Sequence, residues 1–446
     1  MLLVMGFAAT LAIVVGLIHW YLYKRLVRDT LPEGWPRRAG AVAAVLLALL
    51  APTTLVLVRE GSVQWLAWPG FLWLALMFYL LVVLAVLEVP RAALLLWWRA
   101  RRRRTPAGVT ATPAQADGAV QAEPAAQQAV AAQAEPPGPA GGVATKGDVA
   151  TKAGDPPGDG AGTGTDPAHD ASRRLLLARG AAIFAGLTAA GAVGYGVRTA
   201  LGPPQLDRFQ VPMAKLPRAM DGTRIAVVSD IHLGPLVPAN HAQRITDLIN
   251  SVDADVVAIV GDLVDGTVEE LGASAAPLGR IQARHGTFFV TGNHEYYSGH
   301  LPWIEEVQRL GIRVLRNERE ELLVRGGALD LAGVNDIGGE EFGDGPDFPT
   351  TFAGRDPSRP VVLMAHQPVQ ARSAAEYGVD LQVSGHTHGG QMVPFNLLVK
   401  LEQPVVSGYG TVDGVPVYVT NGAGFWGPPV RVGAPPQVSL LELRAP

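Results

Sequence analysis

The stretch Ile225-Ala-Val-Val-Ser-Asp-Ile-His232 is an apolar run of β-type residues followed directly by polar side chains. Similar apolar runs precede four other short polar stretches, and together the five stretches contain five of the ten histidines of the chain. Side chains that follow neighbouring strands converge on one crevice of an α/β sheet. The pattern therefore predicts an α/β domain with a polar site at one sheet edge. The other stretches are Gly261-Asp-Leu-Val-Asp265, Gly292-Asn-His-Glu295, Ala365-His-Gln-Pro368 and Gly385-His-Thr-His-Gly389.

The residue types in these stretches are those that bind divalent cations. Asp230 and His232 are two positions apart, so strand alternation would place a carboxylate and an imidazole on one face, where they can hold one ion. Asp262 has two oxygens that can each face a different cation, and Asn293 offers a neutral carbonyl oxygen. Ligands from so many segments suit a pair of ions. The predicted metal ligands are Asp230, His232, Asp262, Asn293, His366, His386 and His388.

Each stretch alone has a purely structural alternative. Gly-Asn-His can form a turn, Asp262 can cap a helix, and one histidine after a strand can be a hydrogen-bonded polar group. The occurrence of all five in this order, each behind a β-type run, favours the metal site. His241, His285 and His300 lie outside the pattern and are predicted to be surface or packing residues.

These stretches resemble the pattern of the calcineurin-like metallophosphoesterase superfamily, which runs D-x-H, G-D, G-N-H-[DE], H and G-H-x-H. The match covers roughly Thr223 to Leu443. The segment Gly424-Phe-Trp-Gly-Pro-Pro-Val-Arg-Val-Gly433 is similar to a bacterial membrane-associated branch. The resemblance implies a four-layer αββα sandwich that hydrolyses a phosphoester with two metal ions.

The resemblance also implies a role for each matched residue. His294 corresponds to the catalytic histidine, which protonates the leaving oxygen or stabilises phosphoryl charge. Asp262 is implied to bridge two ions that share a hydroxide. The implied first metal site is Asp230, His232, Asp262 and His388, and the implied second site is Asp262, Asn293, His366 and His386.

The donor set limits the metals. The chain has no cysteine, so thiolate ligands and disulfides are excluded. A mixture of imidazole and oxygen ligands suits Mn, Fe or Zn, whereas so many imidazoles disfavour Mg alone. Two divalent ions, of Mn, Fe or Zn, are the expected cofactors.

The first half of the chain has the composition of a membrane region. Leu2 to Tyr21, Ala39 to Val58 and Trp65 to Leu87 are each about as long as a bilayer-spanning helix. Residues 1–104 are therefore predicted to form an all-α transmembrane region with three helices. Residues 105–172 contain no Leu, Ile, Met, Phe, Trp or Tyr and are predicted to be a disordered Ala/Pro/Gly-rich linker.

Residues 173–201 begin with twin arginines before a mild apolar run. They fit a fourth transmembrane helix or a twin-arginine-like export segment. Residues 202–446 form the predicted catalytic domain. Lys/Arg residues concentrate in the first and third connections, whereas the second has only Arg59, so the positive-inside rule places the catalytic domain outside. The predicted location is the bacterial cell membrane, with several spans and an extracytoplasmic catalytic domain.

The sequence defines the substrate less narrowly than it defines the reaction chemistry. A phosphomonoester, a phosphodiester and a pyrophosphate all fit, and a lipid-linked or envelope substrate is as compatible as a soluble one. The net charge of −4 and the lack of a basic block in the catalytic half disfavour nucleic acid. The lipid bilayer is the other expected partner. The alternative function is a membrane sensor or binding protein whose outer domain only binds metal and phosphate.

Overall fold

A computed structural model describes residues 2–59, 63–104 and 167–446 of the chain. The chain divides into two compact units. One combines Met1–Glu88 with Arg174–Pro446, and it contains every strand of the described residues. The other is Val89–Arg173, whose described residues are helical.

Four long helices come before the first strand, and each is long and apolar enough to cross a membrane. The predicted linker lies outside the described residues up to position 166. Its last six residues, 167–172, are helical, so the fourth helix begins earlier than predicted. The helices are α1 (Leu2–Tyr23), α2 (Trp35–Arg59), α3 (Ala67–Arg104) and α4 (Pro167–Ala200).

The membrane helices pack through small and apolar side chains. Leu22 of α1 and Leu84 of α3 are buried in one cluster with Ala185 and Ala189 of α4. Gly70 of α3 lies so close to the Thr54 side chain of α2 that a Cβ atom would not fit there. Small residues allow this close approach of backbones, as is common where helices associate in lipid.

The rest of this unit forms two six-stranded sheets. The first sheet has the order β1-β12-β2-β3-β4-β5, and the second has the order β10-β11-β9-β8-β7-β6. Strands β2 to β5 run parallel, as do β7, β8, β9 and β11. The strands are β1 (Gln205–Pro212), β2 (Thr223–Val228), β3 (Val256–Val260), β4 (Thr287–Val290), β5 (Arg313–Val314), β6 (Glu318–Val324), β7 (Gly327–Gly333), β8 (Val361–Met364), β9 (Leu381–Ser384), β10 (Gly408–Val412), β11 (Val415–Val419) and β12 (Gln437–Arg444).

Three apolar cores separate four layers. The first core lies between the first sheet and the helices that carry Ile245 and Trp303. The second fills the space between the two sheets, and the third joins the other sheet to helices that carry Phe352 and Ala371. The expected αββα sandwich is confirmed. Its helices are α5 (His241–Asn250), α6 (Val268–Ala275), α7 (Asn293–Ser298), α8 (His300–Arg309), α9 (Phe348–Phe352), α10 (Ala371–Ala374) and α11 (Asn396–Val399).

Both sheets direct the carboxyl ends of their parallel strands towards one edge. In the first sheet, Asp230, Asp262 and Asn293 follow β2, β3 and β4. In the second sheet, His366 follows β8 and His386 follows β9. The topology therefore brings all five predicted stretches to the same edge of the sandwich.

Candidate metal centre

The polar residues lie in sharp turns after the strands. Strand β2 ends at Val228, and both Asp230 and His232 have left-handed backbone conformations, with φ of 49° and 47°. The argument from strand alternation is therefore wrong for this pair, because neither residue is in an extended strand. Asp262, His386 and His388 are also left-handed, with φ of 54°, 68° and 51°. Such conformations are uncommon outside glycine and concentrate at functional sites.

Glu295 holds two of these turns together. Its buried carboxylate accepts hydrogen bonds from the backbone N–H groups of Gly292 at 2.6 Å, Asp262 at 3.0 Å and Leu263 at 2.7 Å. Burial and the nearby Asp262 carboxylate raise the pKa of Glu295 to about 7. The turn after β3 is thereby tied to the start of α7.

Asp230 ties the two sheets together. The backbone N–H of His386 lies 3.0 Å from each carboxylate oxygen of Asp230. Gly422 has a φ of 77°, and a Cβ atom there would lie 2.6 Å from Cβ of Asp230. A glycine is needed at this position for both reasons. The contacts bring the β2 turn against the β9 turn.

One candidate metal group consists of Asp230, His232 and His388. The Nε2 atoms of His232 and His388 are 3.0 Å apart, and His388 Nε2 lies 3.4 Å from an Asp230 oxygen. The side chains of Asp230 and His232 are fully buried. This is the set predicted for the first ion, apart from Asp262, whose Oδ2 lies 3.7 Å from His232 Nε2.

A second group consists of Asp262, His366 and His386. His366 Nε2 lies 3.2 Å from Asp262 Oδ2, and its Nδ1 lies 2.8 Å from the backbone carbonyl of Val260. His386 Nδ1 lies 3.1 Å from the side-chain oxygen of Asn293. The structure thus brings all seven predicted ligands to one place, with Asp262 between the two groups.

His294 lies beside both groups and forms a third candidate group with His232 and Asp262. Its backbone N–H donates to Asp262 Oδ1 at 2.9 Å, and its ring Nδ1 lies 2.6 Å from Asp265 Oδ1. The same Asp265 oxygen lies 2.9 Å from Nδ1 of His232. One carboxylate therefore orients a predicted ligand and the predicted catalytic histidine together. Asp265 belongs to the second of the five sequence stretches, but the sequence pattern did not predict a role for it.

The pKa values follow from these contacts. Burial disfavours the charged form of Asp265, but His232 and His294 outweigh it and hold the pKa of Asp265 below its usual range. Burial likewise opposes protonation of His294, but Asp262 and Asp265 raise its pKa to about 9. Burial lowers the pKa of His386 to about 3, which leaves a neutral imidazole suited to ligation.

Arg431 is a second residue that the sequence did not single out. Its side chain is fully buried and donates to the carbonyls of Gly424, His388, Asn421 and Ala434. Burial lowers the pKa of Arg431 to about 9. The guanidinium holds the C-terminal loop against the β9 turn, which carries the predicted ligand His388.

Asp336 is a further acidic group that the sequence did not assign. It is buried, and its Oδ1 accepts from Gly338 N at 2.7 Å and from Gln367 Nε2 at 3.1 Å. Its Oδ2 is buried without a hydrogen-bonding partner among the described residues. Burial raises the pKa of Asp336. Asp336 lies outside the five stretches, so the sequence pattern did not indicate that it is close to His366.

Two aromatic side chains border the site. The ring centroids of Tyr297 and Trp426 lie 5.6 Å and 6.4 Å from that of His294, and both side chains are exposed. Their neighbours in sequence have structural roles instead. Tyr296 is buried and donates to Asp344, and Phe425 is buried against the start of α3. Tyr297 and Trp426 are therefore exposed aromatic side chains beside His294.

The three histidines outside the pattern have different surroundings. His241 is buried beside Arg244, with its Nδ1 3.3 Å from a guanidinium nitrogen. His300 stacks on Tyr296 at a centroid distance of 4.6 Å. His285 is half-buried. Among the described residues, none of them belongs to a candidate metal group.

Comparisons with known proteins agree with this geometry. The family model for the calcineurin-like phosphoesterases matches residues 223–390. A "Transmembrane protein with metallophosphoesterase domain" from Danio rerio is 37% identical over 260 residues, which are 56% of this chain and 60% of that protein. An "Uncharacterized metallophosphoesterase" from Aquifex aeolicus is 31% identical over 246 residues, which are 54% of this chain and 92% of that protein.

The chain spans about 60% of the length of the Danio rerio relative. A crystal structure of a dimetal phosphatase from Danio rerio is 10% identical, has a TM-score of 0.35, and matches over 50% of this chain and 93% of its own. The matched family model begins at β2 and ends just after the His388 turn, so it contains all seven predicted metal ligands and His294. The chain belongs to the calcineurin-like phosphoesterase family.

Proposed function

We propose that the protein is a membrane-anchored hydrolase that uses two divalent ions to cleave a phosphomonoester, phosphodiester or pyrophosphate bond. The observation that carries the proposal is the position of Asp262. It lies between the imidazoles of His232 and His366, at 3.7 Å and 3.2 Å, and also accepts from the backbone of His294. A carboxylate between two groups of ligands is suited to bridging two cations.

The residues fit divalent ions on two observations. His366 Nε2 is buried without a hydrogen-bonding partner among the described residues, although it faces the Asp262 carboxylate. His232 and His388 turn their Nε2 atoms towards each other at 3.0 Å. A cation between such nitrogen and oxygen atoms would satisfy all of them. The donors are imidazole, carboxylate and amide groups, so Mn, Fe and Zn are the proposed metals.

The proposed ligands divide as the family resemblance implies. Asp230, His232 and His388 would hold one ion, His366, His386 and Asn293 would hold the other, and Asp262 would bridge them. When bound, such ions lower the pKa of a water molecule and neutralise charge on the phosphoryl oxygens.

The proton transfer is assigned to His294. Its Nδ1 is engaged by Asp265 at 2.6 Å, so the other ring nitrogen, Nε2, is the one that can give a proton to the leaving oxygen. Asp262 and Asp265 both raise the pKa of His294, and Asp265 does so through the hydrogen bond to Nδ1. Asp265 holds the orientation of the ring and stabilises its positive charge. Tyr297 and Trp426 are proposed to contact the leaving group.

We also propose that α1 to α4 cross the bacterial cell membrane and that the catalytic domain faces the extracytoplasmic side. The Lys/Arg distribution of the connections supports this orientation. A lipid-linked or envelope phosphoester is the proposed substrate, because an outer domain held at the bilayer meets such compounds directly.

The test uses the purified full-length protein and its Asp262→Asn variant. Release of 4-nitrophenol from 4-nitrophenyl phosphate and from bis(4-nitrophenyl) phosphate is measured after chelation and after addition of Mn, Fe or Zn. Turnover that requires added metal and is abolished by Asp262→Asn supports the proposal. Metal binding without turnover of any phosphoester would instead favour the sensor or binding protein.

A further inference from the structure

The segment Val393–Leu401, here called the apolar loop, lies just after the β9 turn that carries the His386 and His388 ligands. It contains α11 and exposes five large apolar side chains. Contiguous exposed apolar patches mark interaction sites. The exposed fractions are 41% for Val393, 41% for Phe395, 61% for Leu397, 56% for Leu398 and 83% for Leu401.

The apolar loop lies against a membrane helix. The ring of Phe395 contacts the ring of Phe78 in α3 edge to face, with centroids 6.2 Å apart. Met392, directly before the loop, packs in the same cluster as Leu80 and Leu84 of α3. The exposed surface of the loop is therefore continuous with the apolar surface of the helix bundle.

The contact lies far along α3. Trp65 and Trp68 are exposed at the start of this helix and mark the expected level of the membrane interface. Phe78 is ten residues beyond Trp68, which corresponds to about 15 Å along a helix axis. Half the thickness of the hydrocarbon core is also about 15 Å. A side chain that packs on Phe78 is thus at a depth where lipid tails, not water, surround α3.

The backbone of the loop suits such an environment. A polypeptide in hydrocarbon must satisfy its own N–H groups. The N–H group of Phe395 donates to the carbonyl of Met392 at 2.8 Å, and the N–H groups of every residue from Leu397 to Gln403 donate to carbonyls within the loop at 2.9 to 3.3 Å.

The charges also fit. No residue from Val393 to Val399 is charged, and the first charged side chains are those of Lys400 and Glu402, at the end of the loop. Both are exposed. A lysine at this place can extend its charge to the headgroups while its stem stays in apolar surroundings.

We propose that the apolar loop is inserted into the bilayer beside α3, as a membrane contact in addition to the four spans. A second part of the proposal rests on the proposed function and concerns the substrate. The substrate is a phosphoester of an amphiphile that is embedded in the membrane. His388 is only five residues before Val393. Gln391, between them, donates to the backbone carbonyls of Trp426 and Pro428 and so joins the loop to the aromatic border of the site. The substrate reaches the metal centre laterally from the lipid.

Insertion can be measured directly, because the chain has no cysteine and a single introduced one can be labelled. The full-length Leu398→Cys and Leu401→Cys variants are labelled with an environment-sensitive fluorophore and reconstituted in phosphatidylcholine–phosphatidylglycerol vesicles. Leu323→Cys is the matched control, since Leu323 is a 70% exposed leucine on the edge strand β6. Strong quenching by acyl-chain spin-labelled lipid is expected for the loop variants and not for the control. Equal quenching at all three positions, or none in the loop, overturns the insertion.

The lateral route has its own test. In the wild type, 4-nitrophenyl hexadecyl phosphate in vesicles should exceed 4-nitrophenyl methyl phosphate in kcat/KM by more than about tenfold, because the long chain partitions into the bilayer. Leu398→Asp should remove most of this preference, since an acid in hydrocarbon is strongly disfavoured. Leu323→Asp should retain it. Equal kcat/KM for the two esters in the wild type overturns the lateral route. Failure to cleave either ester contradicts the proposed function, and the quenching result still decides insertion.

Discussion

Arg431 donates a hydrogen bond from Nη2 to ring Nδ1 of His388 at a distance of 3.0 Å. A histidine that binds metal usually donates its second ring N–H to an oxygen acceptor. Here the second ring nitrogen faces a donor, so the proton of the neutral imidazole is on Nε2, the atom that faces Asp230 and His232. Ion binding at Nε2 therefore requires this proton to leave or to move to Nδ1, and either change alters the contact of His388 with Arg431.

Removal of the Arg431 side chain should destabilise the domain strongly. Arg431→Met leaves several buried carbonyls without a donor, and the free energy of unfolding should fall by about 3–5 kcal/mol. Arg444→Met is the matched control, because Arg444 pairs with Asp221 and Glu442 at the surface and should change by less than about 1 kcal/mol. Thermal unfolding of the full-length protein in detergent measures both. A small effect of Arg431→Met would contradict the role given to its carbonyl contacts.

The bridging position of Asp262 predicts a loss of metal. Asp262→Asn should lower the bound metal from two equivalents towards one or none, because the amide has only one oxygen to offer two cations. Asp253→Asn is the control, since the Asp253 side chain is 68% exposed and pairs with Arg284. Elemental mass spectrometry of the purified proteins gives the stoichiometry. Two equivalents and full activity in Asp262→Asn would remove Asp262 as the bridge.

His294→Ala should keep its metal but turn over about 10²–10⁴-fold more slowly, the usual contribution of a positioned proton donor. The loss should be larger for alkyl phosphoesters than for aryl ones, since a leaving group of low pKa needs less protonation. Steady-state kinetics with a series of leaving groups is the measurement. An equal loss across the series would replace the acid role by charge stabilisation.

His241 should make the fold sensitive to acid. Burial and the neighbouring Arg244 lower the pKa of His241 to about 4, whereas the unfolded chain has an ordinary value near 6.5. Because the pKa of His241 is lower in the folded state than in the unfolded state, the stabilising contribution of His241 is complete above pH 6.5. This contribution is lost as the pH falls towards 4. Between pH 7.5 and 4.5 this amounts to about 2–3 kcal/mol. His241→Gln should show a correspondingly smaller drop in Tm over that range than the wild type. The same drop in both proteins would show that His241 is not the group responsible.

The orientation of the chain can be tested with single cysteines. Thr411→Cys lies on β10 of the catalytic domain, and Ala131→Cys lies in the predicted linker. An impermeant maleimide added to intact protoplasts should label Thr411→Cys and should reach Ala131→Cys only after lysis, because Lys/Arg-rich connections stay inside. The opposite labelling would invert the topology and bring cytoplasmic nucleotide substrates back into consideration.

Several parts of the fold were readable because their signal is local. β3, β8 and most of β2 and β4 are continuous apolar runs, as is typical of strands buried on both faces. The four apolar helices follow from length and composition. β1, β5 and β10 lack this signal for a physical reason. β1 is largely exposed, β5 has only two residues, and β10 contains two glycines, so none shows the apolar pattern of a buried strand.

The residue types that follow the buried strands indicate the chemistry of the site from the sequence alone, because together they have few other uses. The packing of separate elements determines which groups contact those predicted ligands. Asp265 reaches His232 and His294, and Arg431 reaches His388, across 29 to 43 positions of the chain. The contact of Phe395 with Phe78 spans more than 300 positions. Such contacts depend on how separate elements pack. A contact between residues far apart in the chain produces no periodic pattern in the sequence around either of them, so the sequence does not predict it.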